Sequence, residues 1–172
     1  MKREMRRSSL AAAFCALLAS WNAGCNAPRM RAPSYRVVRI LDGDTIEVLM
    51  DRRPVRVRLQ GVDCPERGQA FGTAARRFTS ELCFGKQVSL RSYGSDRYGR
   101  ILADVVLPDG RILNHELVRA GLAWWYREYA AGDTTLEALE QEARAARRGL
   151  WADSRPLPPW EYRRERRSQA GR

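Results

Sequence analysis

From Tyr35 to Leu107, apolar and polar residues alternate in short bursts that reset at turns bearing glycine or aspartate. Val37, Val38 and Ile40, interleaved with arginines, predict a strand over Tyr35–Ile40. Asp42-Gly43-Asp44 is a turn by composition, and Thr45–Met50 resumes as a second strand, so the two form a hairpin. Beyond Asp51-Arg52-Arg53, Val55, Val57 and Leu59 alternate with Arg56, Arg58 and Gln60. A period of two puts the apolar trio on one face and Arg58 on the other. At Gln69 the period changes: Phe71, Ala74, Ala75, Phe78, Leu82 and Cys83 recur every three or four residues, predicting a helix to Phe84 that Gly85 ends. Lys86–Arg91 and Ile101–Leu107 read as fourth and fifth strands, separated by the polar stretch Tyr93–Arg100. Pro108-Asp109-Gly110 turns into a short extended piece at Arg111–Leu113, and Asn114 is placed to cap a short helix ending near Gly121. Thr134-x-x-Glu137 has the form of a capping box, with Leu136, Leu139, Ala143 and Ala146 inward and Gly149 as the stop. Five strands, one helix after the third and two after the fifth, make an α+β chain. That order fits a five-stranded oligonucleotide-binding (OB-fold) barrel with three helices.

The two ends fall outside this pattern. Lys2, Arg3, Arg6 and Arg7 precede an apolar run from Leu10 to Ser20, too short to span a bilayer as a helix. Residues 1–25 therefore read as a signal peptide, and residues 26–34 as a linker. Small residues at Cys25-Asn26-Ala27 suit ordinary cleavage, whereas Asn22-Ala23-Gly24-Cys25 has the shape of a lipoprotein box that would make Cys25 a membrane lipid anchor. Either way the chain is expected to be secreted, periplasmic or bound to the cell envelope. Residues 35–160 are assigned to the domain, with Pro156–Trp160 packing back on it, and residues 161–172 to a basic tail without regular structure.

The net charge of +11 and pI near 10.4 call for a polyanionic partner, nucleic acid or an anionic membrane. Lys2 and Lys86 are the only lysines, so the surplus is arginine, whose planar fork matches phosphate. No protein partner is evident, and the chain is expected to be a monomer. Cys64 and Cys83 are left in the domain, where an exported protein can oxidise such a pair, though their spacing does not show that they meet. A single histidine, His115, leaves no zinc cluster; it reads as a surface residue. Trp124, Trp125, Trp151 and Trp160 read as core or docking residues.

Three clusters carry chemistry: Asp42-Gly43-Asp44, Arg58 through Glu66, and Asp96-Arg97-Tyr98-Gly99-Arg100. Asp44 and Asp63 can supply two carboxylates from turns at the ends of neighbouring strands, and the Cys64 carbonyl a third oxygen, for a hard divalent cation. Glu66 can hold a water, and Arg58 and Arg100 can clamp the charge that builds on phosphorus during phosphodiester attack. Each turn alone reads as an ordinary hairpin; the three in this order do not.

These segments (Leu41-Asp-Gly-Asp-Thr-Ile, Arg58-Leu-Gln-Gly-Val-Asp-Cys-Pro-Glu66 and Asp96-Arg-Tyr-Gly-Arg100-Ile-Leu-Ala) resemble the signatures of the staphylococcal nuclease (thermonuclease) family. The similarity continues through Val118–Ala123 and Ala146–Trp151. It implies Ca²⁺-dependent hydrolysis of DNA and RNA with low sequence specificity, leaving 3′-phosphate ends. Carried over by position, Asp44, Asp63 and the Cys64 carbonyl are the metal ligands. Glu66 is the general base, with Arg58 and Arg100 as the other catalytic residues, and Arg97 and Tyr98 contact a terminal phosphate. Two departures concern substrate preference: the loop after Glu66 is short, and a nucleotide-stacking tyrosine falls near Arg127, leaving Tyr126 or Tyr129 to substitute. The rival reading is a non-catalytic nucleic-acid-binding OB-fold protein of the envelope. The intact acids argue against it, since a pure binder gains nothing from like charges held near phosphate.

Overall fold

The structure is a computed structural model that describes residues 33–171. The expected signal peptide, its cleavage and lipidation sites and most of the linker lie outside those residues.

Strands β1 (Ser34–Asp42), β2 (Thr45–Met50) and β3 (Arg53–Leu59) form an antiparallel meander. A two-residue strand β4 (Val62–Asp63) and helix α1 (Gly72–Cys83) follow, then β5 (Gln87–Ser95) and β6 (Ile101–Val106). The barrel closes in the order β1-β2-β3-β6-β5, with β5 returning to β1 and β3 running parallel to β6. This is the mixed five-stranded barrel that the strand order predicts. Its interior is filled by the inward half of each alternation, Val37, Ile46, Val48, Val57, Leu59, Val88, Ala103 and Val105. Full burial of such side chains contributes roughly 1.5–3 kcal/mol each.

Helix α2 (Leu113–Arg119) packs against α1, β6 and α3 (Thr134–Ala145), and the two-residue strand β7 (Trp124–Trp125) pairs with β4. Asn114 caps nothing. It is buried, accepts from Val105 N and donates to the carbonyls of Gln60 and Ala103, so it ties α2 to the end of β3 and to β6. The cap of α3 is Asp133, one residue before the expected Thr134, and its carboxylate accepts from Thr135 N and Leu136 N. Leu136, Leu139 and Ala143 face inward as expected, whereas Ala146 is exposed. The fourth inward residue is Glu140, which accepts from Trp125 N and is paired with Arg127 and Arg144. His115, expected at the surface, is partly exposed. Cys64 and Cys83 are buried, free thiols.

The largest difference concerns the tail. Residues 159–170 form a fourth helix, α4 (Pro159–Ala170), where irregular chain is expected from residue 161. Pro159 suits the first helical position, and Glu161 and Arg167 lie at the ends where the helix dipole favours their charges. Only Trp160 and Tyr162 are large apolar anchors, so α4 has no hydrophobic stripe for periodicity to detect. Trp160 docks it as the sequence suggests: its ring stacks on Tyr126 at 5.2 Å and meets Trp124 edge-on at 5.6 Å.

Candidate active site

The β1–β2 turn places Asp44 against the barrel end. A Cβ on Gly43 would lie 2.8 Å from both Ala75 Cβ and Cys64 Sγ, so only glycine lets the turn lie this close to α1. Thr79 of α1 locks it by donating to the Gly43 carbonyl at 2.6 Å. Asp44 is buried; its Oδ1 accepts from Thr45 Oγ1 at 3.0 Å and its Oδ2 from Cys64 N at 2.7 Å. Asp63, 1% exposed, sits on β4, which pairing with β7 fixes opposite Trp124. Arg58 arrives from β3 on the face opposite Val57 and Leu59, as the alternation predicts, and its Nη1 donates to the carbonyls of Leu59 and Val62. That fork aims Nη2 between the two acids, 3.2 Å from Asp44 Oδ2 and 2.9 Å from Asp63 Oδ1.

Glu66 follows Pro65 in the loop before α1. Its N–H donates to Gln69 Oε1 and its carbonyl accepts from Gln69 N, and a Cβ on Gly72 would collide with that carbonyl. The Glu66 carboxylate is bound by a residue that the sequence reading leaves in the tail. Arg163 of α4 places Nη1 2.6 Å from Glu66 Oε1 and Nη2 2.8 Å from Asp63 Oδ2. Three carboxylates are thus gathered by two arginines, one from the barrel and one from the C-terminal helix.

The third cluster stands apart. Asp96 Oδ1 accepts from Tyr98 N and Arg100 N, and its Oδ2 from Arg100 Nε at 2.7 Å. Arg97 and Arg100 lie over the exposed Tyr98 ring. Among the described residues no hydrogen bond or ion pair joins Arg97, Tyr98 or Arg100 to Asp44, Asp63 or Glu66. The link is made by the backbone: Ile101, directly after Arg100, pairs with Val57, directly before Arg58.

Residues 56–153 match the family model described as staphylococcal nuclease homologue. The chain is 48% identical over 128 residues to an "uncharacterized endonuclease" of Escherichia coli, covering 74% of this chain and 83% of that protein. It is 44% identical over 137 residues to a micrococcal nuclease of Shigella flexneri, covering 74% and 79%. A probable staphylococcal-like nuclease, CAN1, of Oryza sativa subsp. japonica is 37% identical over 134 residues, covering 78% of this chain and 39% of that one. This chain belongs to the staphylococcal nuclease family. It is a nuclease, an enzyme of phosphodiester bonds, and α4 lies beyond the segment that the family model matches.

The donor chemistry of this staphylococcal nuclease homologue fits a hard cation. The available groups are carboxylate and backbone carbonyl oxygens, which suit Ca²⁺ or Mg²⁺ rather than zinc. Asp44 Oδ2 and Asp63 Oδ1 share one guanidinium nitrogen and are therefore close neighbours. Burial raises the Asp63 carboxyl above the usual carboxylate range despite its bond from Arg163, and the nearby Asp44 charge adds to the rise. A cation between the acids would relieve that repulsion. Among the described residues no group of three or more His, Cys, Asp and Glu side chains forms a metal cage, so carbonyl, water and substrate oxygens would complete the coordination.

Burial opposes the charge on Arg163, but its bonds to Asp63 and Glu66 prevail and hold its pKa above the ordinary guanidinium value. The thiols are inert by the same physics: burial pushes Cys64 well up and Cys83 to about 12. Of the two tyrosines expected to substitute for the stacking residue, Tyr126 is occupied by Trp160, whereas Tyr129 is exposed.

Proposed function

We propose that the enzyme is a Ca²⁺-dependent nuclease that hydrolyses DNA and RNA with low sequence specificity and leaves 3′-phosphate ends. The observation that carries the reading is the single Arg58 nitrogen between Asp44 and Asp63 at one end of the barrel, with Glu66 three residues beyond Asp63. In this reading Asp44, Asp63 and the Cys64 carbonyl hold the ion, which when bound offsets phosphate charge as a Lewis acid. Glu66 orients a water and takes its proton as the oxygen attacks phosphorus. The bond from phosphorus to the 5′ oxygen breaks, that oxygen takes a proton from solvent water, and the phosphate stays on the 3′ carbon. Arg58 clamps the equatorial oxygens as charge builds, because its own carbonyl partners fix its fork beforehand. Arg100, released from Asp96 or bridging to it, supplies the second clamp, and Arg97 and Tyr98 hold a terminal phosphate beside it. Export to the envelope or medium rests on the pattern of residues 1–25 alone.

Plasmid digestion in Ca²⁺ against excess chelator tests the activity and its ion dependence together; equal digestion in both removes the metal from the mechanism. Glu66→Gln keeps oligonucleotide binding and lowers kcat by about 10²- to 10⁴-fold, the usual range for a lost general base. Unchanged turnover in that variant removes Glu66 from the chemistry.

A further inference from the structure

Beside the carboxylates lies an open groove of about 720 Å³, with Arg56 and Arg67 from the barrel side and Tyr162, Arg163, Arg166 and Arg167 from α4. The four α4 residues fall at positions i, i+1, i+4 and i+5, hence on one helical face. Arg164 and Glu161 pair with each other at 3.9 Å outside that set.

The charges along the groove are unequally spent. Arg56 is paired with Glu47, Arg67 with Asp42, and Arg163 with Asp63 and Glu66. Arg166 and Arg167 are exposed and make no ion pair among the described residues. Five arginines thus face two lining carboxylates, Asp42 and Glu66. The helix is also held in place rather than laid loosely on the surface. Pro159 is buried, Trp160 is stacked, and Gln69, in the loop that carries Glu66, donates to the Leu157 carbonyl at 2.6 Å.

We infer that α4 is the second wall of a polynucleotide groove, in which Arg166 and Arg167 bind backbone phosphates flanking the one that is cleaved. The inference rests on the proposed function for which phosphate that is. Arg163 marks the inner end, where the groove meets Glu66 and Asp63. A strand lying along the helix is thereby led toward the carboxylates, and a basic wall fixed by Trp160 stands where the loop after Glu66 is too short to supply one. Planar guanidinium forks recognise phosphate without reading bases, which agrees with low sequence specificity.

The test is binding in excess chelator, so that no turnover intervenes. Anisotropy of a labelled single-stranded oligonucleotide is followed against salt for the wild type, the Arg166→Glu/Arg167→Glu double variant and Arg164→Glu. The three substitutions all replace exposed residues, and thermal melting checks that each variant is folded. The double variant is expected to bind about ten-fold more weakly or worse. Its slope of log affinity against log salt should fall by about 1.4, two single-strand phosphates at roughly 0.7 each, while Arg164→Glu stays within about two-fold of the wild type. Equal losses in Arg164→Glu and the double variant, or none in either, overturn the inference. So does a double variant that keeps the oligonucleotide but loses binding to phosphatidylglycerol vesicles, because the basic face would then serve a membrane. Hydrolysis of a chromogenic mononucleotide phosphodiester by the wild type in Ca²⁺ is scored separately. If that fails while the oligonucleotide result holds, the hydrolytic reading falls and the groove stands.

Discussion

Arg58 and Arg163 meet the same carboxylate from two different parts of the molecule. Arg58 stands on β3 with its side chain 14% exposed, and two backbone carbonyls hold its fork before any acid is considered. Arg163 stands on α4 with its side chain 34% exposed, and among the described residues its hydrogen bonds go only to Asp63 and Glu66. A guanidinium held by its own strand stays when the acids change partners. One held only by the acids is released when a cation or phosphate takes its place. The barrel end is therefore a fixed cradle, and the helix a docked wall whose innermost arginine is exchangeable.

The largest effect that could break this comparison is removal of the fixed arginine. Arg58→Ala leaves Asp44 and Asp63 buried with their shared cation gone, and breaking a buried pair this way costs about 3–5 kcal/mol. Urea unfolding without metal reads the loss. A change below about 1 kcal/mol would mean that the cradle does not depend on Arg58.

Next comes the anchor of α4. Trp160→Ala removes the stack on Tyr126 and the edge contact with Trp124, each worth about 0.5–1.5 kcal/mol beyond simple burial. The expected outcome is faster amide exchange along α4 with the barrel strands unchanged. Exchange that stays slow throughout α4 would show that something other than Trp160 docks it.

The smallest effect is on the exchangeable arginine. Arg163→Gln leaves Asp63 still paired with Arg58 and Glu66 open to solvent, so stability should fall by no more than about 1 kcal/mol, well short of the cost of stripping a buried acid of its last partner. Because a cation at Asp63 no longer displaces a guanidinium, Ca²⁺ should bind up to roughly five-fold more tightly by calorimetry. A stability loss matching that of Arg58→Ala would place Arg163 in the cradle and erase the distinction.

Sequence patterning made the cradle visible and left the wall hidden, for physical reasons that particular residues show. Val55, Val57 and Leu59 alternate cleanly, so β3 and the outward side of Arg58 were legible, as was the turn at Gly43. The convergence of Asp44, Asp63 and Arg58 followed from strand order, whereas Arg100 is engaged by Asp96 four residues earlier, a local bond that spacing does not distinguish from a long-range one. Asn114 and Glu140 serve distant backbone groups, Gln60 O and Trp125 N, and no local signal marks a polar side chain for burial. Arg163 was missed because Glu161 through Arg167 reads as a solvated charge run. Only Pro159 and Trp160 ahead of it signal a docked helix, and neither says which arginine faces the acids.

Calorimetric titration of Ca²⁺ into the wild type and Asp63→Asn tests the central claim most directly. The wild type should show one saturable site that Asp63→Asn abolishes or weakens severely, because the variant removes one of the two carboxylates that meet at Arg58. Equal binding by both proteins would place the ion elsewhere and contradict the assignment of this carboxylate pair as the metal centre.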